Sequence, residues 1–186
     1  MTEFNRSLCT YTPLFCEENI WKLIASFYTN KQATPIDVIF IVNPSNSVAV
    51  FEQRASKGQH PVIWDYHVIL SAFVERQVVI FDFDSRCAFP TGIQAYFAAT
   101  FPLQHPLIEK YRPILRAVSA KQYLKCFFSD RVHMMGVIPE SAFPPYDIIQ
   151  PADTRSAISL QSWIDLNCEI HGSRTLTTDE YLLNLS

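Results

Sequence analysis

The stretch Val62–Leu70, with the sequence VIWDYHVIL, decides the fold that we predict for this chain. β-Branched and aromatic side chains dominate it, and apolar residues fall on both of its faces. That pattern is typical of a strand inside a sheet that is covered on both sides. One imidazole, that of His67, interrupts the apolar run. Near neutral pH a histidine can act as a base and then as an acid, and burial fixes its orientation. The alternative is a hydrogen-bonded histidine with a purely structural role.

The composition indicates a globular protein. The chain has 186 residues, of which 48% are hydrophobic and 18% charged, so we expect a single domain over residues 1–186 with a substantial core. Residues 1–10 are expected to be flexible. The net charge of −3 and the lack of a basic stripe argue against nucleic acid as a partner. No apolar run is long enough to span a membrane, and the first residues lack the layout of a signal peptide, which favours a soluble intracellular protein.

The cysteines favour free thiols over a disulfide framework or a metal site. Their number is odd, they are far apart, and no CxxC pair occurs. Most of them are expected to be small buried apolar side chains, and one could be a nucleophile. They are Cys9, Cys16, Cys87, Cys126 and Cys168.

Cys16 stands at the predicted start of an amphipathic helix. Apolar residues recur with helical spacing from Ile20 to Tyr28, and Glu17 and Glu18 fall in the first turn, where acidic side chains suit the helix dipole. Unpaired backbone N–H groups at a helix start can lower the pKa of a thiol and can later hold an oxyanion. The two glutamates oppose thiolate formation, so a cationic partner such as protonated His67 is needed. A buried thiol that only packs the helix start is the alternative.

A carboxylate partner for His67 is expected on the next strand, Gln77–Asp84. If the hairpin places Asp82 opposite His67, its turn is centred between residues 74 and 75, whereas Asp84 opposite His67 shifts the centre by one residue. Both carboxylates lie on the same face by parity. Asp82 is the better candidate because it lies between Phe81 and Phe83 and needs a donor there. An exposed carboxylate on an edge strand is the alternative.

The remaining pattern predicts a mixed α+β domain. Turn residues separate two further strands in the first third of the chain, and a proline-rich loop follows residue 139. Three more helices and a capped last helix are expected. The predicted strands are 36–42, 48–53 and 113–118, and the predicted helices are 93–101, 120–128, 160–166 and 177–183.

Three segments give a more specific indication. Cys16–Leu23 (CEENIWKL), Pro61–Val68 (PVIWDYHV) and Ser129–Met134 (SDRVHM) strongly resemble the protein N-terminal glutamine amidohydrolases, a family named in part for its WDYHV motif. The resemblance implies a papain-like or transglutaminase-like cysteine-hydrolase fold, with a central antiparallel sheet packed against the helix that carries the cysteine. It also implies a monomer without metal or cofactor. The family's nucleophile falls on Cys16, its histidine on His67 and its orienting aspartate on Asp82.

The reaction implied by this resemblance is hydrolysis of the side-chain amide of an N-terminal glutamine, which gives glutamate and ammonia. The substrates are then proteins or peptides with an exposed N-terminal Gln, met in the cytoplasm or also the nucleus, and the product feeds the N-degron pathway. The substrate's α-ammonium group needs a carboxylate or converging carbonyls, for which Asp65 and Asp130 are candidates. Asp130 could instead form a structural ion pair with Arg131.

Other functions remain open from the residues alone. The same scaffold could carry an endopeptidase, an acyltransferase or a deamidase of internal glutamines. A module that binds N-termini without catalysis is a second alternative, and a metal enzyme is a distant third.

Overall fold

The computed structural model of the chain describes residues 4–105 and 107–185. Helices and strands alternate irregularly along this part of the chain, with short 3₁₀ turns between them. The helices are α1 Cys16–Asn30, α2 Ile93–Thr100, α3 Ala120–Cys126, α4 Leu160–Ile164 and α5 Thr178–Leu183. The strands are β1 Thr34–Val42, β2 Val48–Val50, β3 Val62–Trp64, β4 His67–Val74, β5 Gln77–Phe81, β6 Thr91–Gly92, β7 Ile114–Ser119, β8 Phe127–Phe128, β9 Ile158–Ser159 and β10 Arg174–Leu176.

A six-stranded antiparallel sheet forms the centre of the fold, in the order β10-β7-β1-β4-β5-β6. Two small sheets accompany it, the antiparallel pair β2-β3 and the parallel pair β8-β9. The predicted α+β class with a central antiparallel sheet is therefore confirmed. The long helix α1 packs against β4 and β1, as the apolar face from Ile20 to Phe27 requires.

Both faces of this sheet are buried, so successive residues of a strand enter different cores. In β1, Phe40 belongs to a core covered by α1, α3 and α4, where its ring stacks on Trp163 at 5.6 Å. Its neighbours Ile39 and Ile41 belong to a second core, which Tyr96 of α2 and Tyr181 of α5 help to cover. The helices thus form two layers with the sheet between them.

The stretch Val62–Leu70 is divided between two sheets. The sequence predicts one continuous strand, but the structure has β3 paired with β2 and β4 paired with β1, with a break at residues 65–66. The single-strand prediction is wrong because an apolar run shows burial but does not show which partner strand buries it. His67 therefore opens β4 at one end of the central sheet, opposite Ile41.

The β4–β5 hairpin turns one residue later than the preferred prediction has it. Val74 pairs with Gln77, and Glu75 and Arg76 occupy the two turn positions with φ values of 48° and 70°. Two successive left-handed residues match the twist of a hairpin, although neither is a glycine or asparagine. This register would place His67 opposite Asp84, but strand pairing stops at Phe81 and the chain turns away from the sheet.

The N-terminal segment partly joins the core. Residues 1–3 lie outside the described residues, whereas the ring of Phe4 packs edge-on against Phe27 and Phe81.

The predicted cap of the last helix is confirmed, because Thr177 and Glu180 form a reciprocal capping box. Among the described residues no helix is both long and apolar enough to cross a lipid bilayer.

Candidate active site

The candidate site is a cavity of about 510 Å³ at the end of the central sheet where β4 begins. Side chains from α1, from the β3–β4 connection and from the loop after β8 meet there. Its lining includes Cys16, Trp64, Tyr66, His67, Asp84 and His133. Two of the three predicted catalytic residues therefore face one cavity, and the third, Asp82, lies directly behind His67.

Cys16 is the first residue of α1, as the sequence predicts. The loop before it is held by Asn19, whose side-chain amide accepts from the backbone N–H of Thr12 and donates to its carbonyl, both at 2.8 Å. Asn19 is fully buried, so this clamp sets the path by which the chain enters the helix. The clamp therefore fixes the position of the thiol relative to β4.

The electrostatic environment of Cys16 favours the protonated thiol, and Glu17 opposes thiolate formation as the sequence predicts. Burial raises the pKa of this thiol well above its ordinary value, and the negative charges of Glu17 and Asp84 raise it further. A hydrogen bond from the backbone N–H of Val68, the residue after His67, acts in the opposite direction. The thiol itself donates to Glu17 Oε2 at 3.5 Å. The helix start alone therefore does not make Cys16 a thiolate.

His67 and Asp82 form a buried hydrogen-bonded pair. Nε2 of the imidazole lies 2.9 Å from Asp82 Oδ1, and both side chains are at most 2% exposed. The pair forms although the β4–β5 register does not align the two residues, because residue 82 follows the last paired residue of β5. This arrangement leaves Nδ1 as the ring nitrogen that Asp82 does not occupy.

Three further donors hold the Asp82 carboxylate. Tyr96 of α2 donates to Oδ2 at 2.8 Å and the side chain of Gln53 donates to Oδ2 at 3.2 Å. The backbone N–H of Asp84 donates to Oδ1 at 2.9 Å. Trp64 completes this shell, since its ring stacks on the imidazole of His67 at 5.8 Å and its N–H donates to Gln53. His67 and Asp82 are therefore fixed in position by side chains from α2, from β3 and from the segment after β2.

The protonation equilibria of this pair follow from its burial and its charges. Burial alone would lower the pKa of His67, but the Asp82 carboxylate outweighs it and raises that pKa above its usual 6.5. Burial alone would raise the pKa of Asp82, but the imidazolium of His67 and the hydrogen bond from Tyr96 lower it. The pair therefore favours a carboxylate beside a readily protonated imidazole.

A second titratable group lies behind Cys16. Glu17 is fully buried, and burial raises its pKa to about 7. Its Oε2 accepts from the Tyr66 hydroxyl at 3.0 Å, whereas its Oε1 lies 3.9 Å from His133 Nε2, outside hydrogen-bond range. Glu17 can therefore change its charge near neutral pH next to the thiol.

Glu18 has a different role, although it is adjacent in sequence. Its carboxylate forms a bidentate pair with Arg131, with both contacts at 2.8 Å, and also accepts from Ser129 at 2.7 Å. The predicted Asp130–Arg131 pair is wrong, because Asp130 is exposed and caps the backbone N–H of Val132 instead. The Glu18–Arg131 pair ties the 129–134 segment to the helix that carries Cys16.

One cluster of the described residues has the spacing of metal ligands. His67, Asp82 and Asp84 offer donor atoms that all lie within 4.8 Å of one another. Both oxygens of Asp82 already accept hydrogen bonds, and one of them accepts from His67. A metal ion there would have to replace the contacts that orient the imidazole.

The sequence patterns identify the central residues but not the groups that support them. Gln53 follows the short strand β2, and nothing in its local sequence indicates that it reaches Asp82. Tyr96 belongs to an apolar helix, where its hydroxyl is the one indication of a polar partner. Of the two candidates for the α-ammonium group, Asp65 lines the cavity, whereas Asp130 is not among the lining residues.

Comparison with known proteins gives one consistent result. The family described as N-terminal glutamine amidase matches residues 11–183. The chain is 31% identical to the protein N-terminal glutamine amidohydrolase of Bos taurus, over 97% of this chain and 89% of that protein. It is 32% identical to the protein of that name from Homo sapiens (95% and 87%) and 36% identical to that from Danio rerio (74% and 69%). The resemblance predicted from the three sequence segments is therefore confirmed.

Proposed function

Because the chain belongs to the N-terminal glutamine amidase family, we propose that it hydrolyses the side-chain amide of an N-terminal glutamine to glutamate and ammonia. The observation that carries this proposal is the meeting of a thiol at a helix start and a buried His67–Asp82 pair at one cavity. Cys16 is assigned as the nucleophile, His67 as the acid and base, and Asp82 as the residue that orients His67.

The proposed reaction begins with removal of the proton from the Cys16 thiol. The raised pKa of Cys16 means that the resting thiol is protonated, so a base must remove its proton. In the proposed first step, Nδ1 of His67 takes the proton while sulfur attacks the γ-carboxamide carbon. Backbone N–H groups near the start of α1 then stabilise the oxyanion. Asp82 stabilises the imidazolium that forms, which agrees with the raised pKa of His67.

The remaining steps return every group to its starting state. The imidazolium gives its proton to the amide nitrogen, the C–N bond breaks, and ammonia leaves a thioester on Cys16. His67 then removes a proton from water, which attacks the thioester carbon. Collapse of that intermediate breaks the C–S bond, and sulfur recovers its proton from His67. The products are the glutamate side chain and the free thiol, so no cofactor is consumed.

The wider setting is part of the same proposal. The chain acts as a single catalytic domain of the papain-like or transglutaminase-like type, a grouping supported by the cysteine helix packed across an antiparallel sheet. Its substrates are peptides or proteins with an exposed N-terminal Gln, which it meets as a monomer in the cytoplasm or nucleus. The glutamate product would then serve the N-degron pathway.

Mass spectrometry on a Gln-initiated peptide tests the proposal. The wild-type protein should add about one dalton to the peptide and release ammonia, whereas Cys16→Ala should lower the rate by at least about 10³-fold because no nucleophile remains. Cys126→Ala, at a cysteine that does not line the cavity, is the matched control and should keep the activity.

Other outcomes would identify a different function. Ammonia from an internal glutamine would indicate a general deamidase, and backbone cleavage would indicate an endopeptidase. Binding without turnover by the wild type would indicate a recognition module. Activity that survives Cys16→Ala but is lost with a chelator would indicate a metal enzyme that uses the cluster of His67, Asp82 and Asp84.

A further inference from the structure

Two acidic side chains line the cavity in the described part of the chain, Asp65 and Asp84. They differ in how firmly the fold holds them. Asp65 is exposed and lies on the connection between β3 and β4. Asp84 is half-buried, and its carboxylate lies within 4.8 Å of the nearest donor atoms of His67 and Asp82.

The position of Asp84 is set from three directions. The hydroxyl of Tyr11 donates to its Oδ1 at 2.6 Å, and the Tyr11 ring is itself stacked on Phe83 at 5.7 Å. The backbone N–H of Asp84 donates to Asp82, and its carbonyl accepts from the backbone N–H of Arg54 at 2.7 Å. The side chain therefore does not need to be ordered when a ligand arrives.

One oxygen of this carboxylate is available to a ligand. Within the described residues, Oδ2 of Asp84 accepts no hydrogen bond, and no Lys or Arg nitrogen forms an ion pair with it at 4.0 Å or less. Its negative charge acts on the reacting groups, since it contributes to the raised pKa of both Cys16 and His67. A carboxylate that is fixed, charged and unpaired beside a thiol is suited to bind a cationic group.

The geometry points to Asp84 as the residue that binds the α-ammonium group of the substrate, an inference that rests on the proposed function. In glutamine the α-nitrogen and the γ-carboxamide carbon are four bonds apart, which is about 5 Å in an extended side chain. Because Asp84 and Cys16 line the same cavity, an ammonium hydrogen-bonded to Asp84 is expected to direct the carboxamide toward Cys16. A glutamine within a chain has no ammonium group and leaves Asp84 unpaired. Asp84 thus acts as a specificity residue that restricts the reaction to chain ends.

The test compares two substrates and three proteins. One substrate is a Gln-initiated peptide, and the other is the same peptide with the α-ammonium replaced by hydrogen, a 4-carbamoylbutanoyl peptide, which is not bulkier than glutamine. Ammonia release is measured with wild type, Asp84→Asn and Asp65→Asn. Because Asn keeps the shape of Asp and removes its charge, Asp84→Asn should lower kcat/KM on the Gln peptide by about 10²-fold, mainly through KM.

The ratio of the kcat/KM values for the two substrates separates recognition of the ammonium group from a structural effect. In Asp84→Asn the preference for the ammonium-bearing peptide over the des-amino peptide should fall to nearly one, because only the ammonium-bearing peptide loses a contact with Asp84. Asp65→Asn should keep the wild-type preference. An unchanged preference in Asp84→Asn, or an equal loss on both substrates, would overturn the inference. Absence of ammonia release by wild type from the Gln peptide would instead refute the proposed function.

Discussion

Cys16 and Glu17 are adjacent titratable groups, and their ionised forms, a thiolate and a carboxylate, repel each other. Burial raises the pKa of both, and the negative charge of Glu17 adds to the raised pKa of the thiol. Since the pKa of Glu17 is about 7, this repulsion is present above neutral pH and is lost as the carboxyl becomes protonated below it. The reactivity of the thiol should therefore depend on the charge of Glu17.

We expect Glu17→Gln to increase the alkylation rate of Cys16 by iodoacetamide above pH 7 and to leave it nearly unchanged below pH 6. The amide still accepts from Tyr66 but carries no charge, so the alkylation rate at pH 8.5 should increase about three- to tenfold. Mass spectrometry of the peptide that contains Cys16 measures the rate. Glu140→Gln, at an exposed loop residue, is the control. Equal alkylation rates for wild type and Glu17→Gln at pH 8.5 would contradict this expectation.

At the scale of elements, the Glu18–Arg131 pair connects α1 to the segment that carries His133. Arg131 also donates to the carbonyl of Tyr146, so it ties in the proline-rich loop as well. Both charged groups are almost completely buried. Breaking such a pair leaves a buried charge without its partner, which costs more than an exposed ion pair contributes.

Arg131→Ala should lower the free energy of unfolding by about 3–5 kcal/mol, because it leaves the Glu18 carboxylate buried and unpaired. Urea unfolding followed by circular dichroism measures this loss. The double variant Glu18→Gln/Arg131→Met should recover part of it. Arg155→Ala, which removes an exposed pair with Asp153, should leave the midpoint nearly unchanged. A midpoint for Arg131→Ala equal to that of wild type would show that the pair contributes no stability.

The sequence predicts elements better than it predicts their connections. The helix from Cys16 is predictable because apolar spacing and acidic first-turn residues agree. The break at residues 65–66 is not, since pairing of β3 with β2 depends on a distant partner strand. The Glu75–Arg76 turn lacks glycine and asparagine, so the hairpin register could not be fixed. The choice of Asp82 over Asp84 as the partner of His67 agrees with the structure because it rested on burial and not on register.

Across the whole molecule, the candidate site depends on both helical layers and on the sheet between them. Cys16 comes from α1 on one face, Tyr96 comes from α2 on the other, and His67 comes from the sheet itself. A loss of packing on either face would therefore separate the catalytic groups.

We therefore expect loss of activity and loss of fold to coincide during denaturation. In a urea series, ammonia release should fall with the same midpoint as the tryptophan fluorescence of the chain, to which the buried Trp163 contributes, as for a two-state domain. Tyr181→Phe tests this, because it removes the hydroxyl that contacts Asp37 and Ser71 in the second core. It should lower stability by about 1 kcal/mol and shift both midpoints equally. Activity lost well before the fluorescence change would indicate that the site unfolds on its own.

The β4–β5 hairpin has a practical consequence. β4 starts at the cavity with His67 and ends seven residues later at Val74, so the hairpin tip lies about 25 Å from the proposed chemistry. Glu75 and Arg76 are exposed there in a turn that already uses the backbone region most accessible to glycine. This tip is the natural attachment point for a fluorophore, a surface tether or an inserted reporter domain. An immobilised or labelled form made there would present its cavity away from the support.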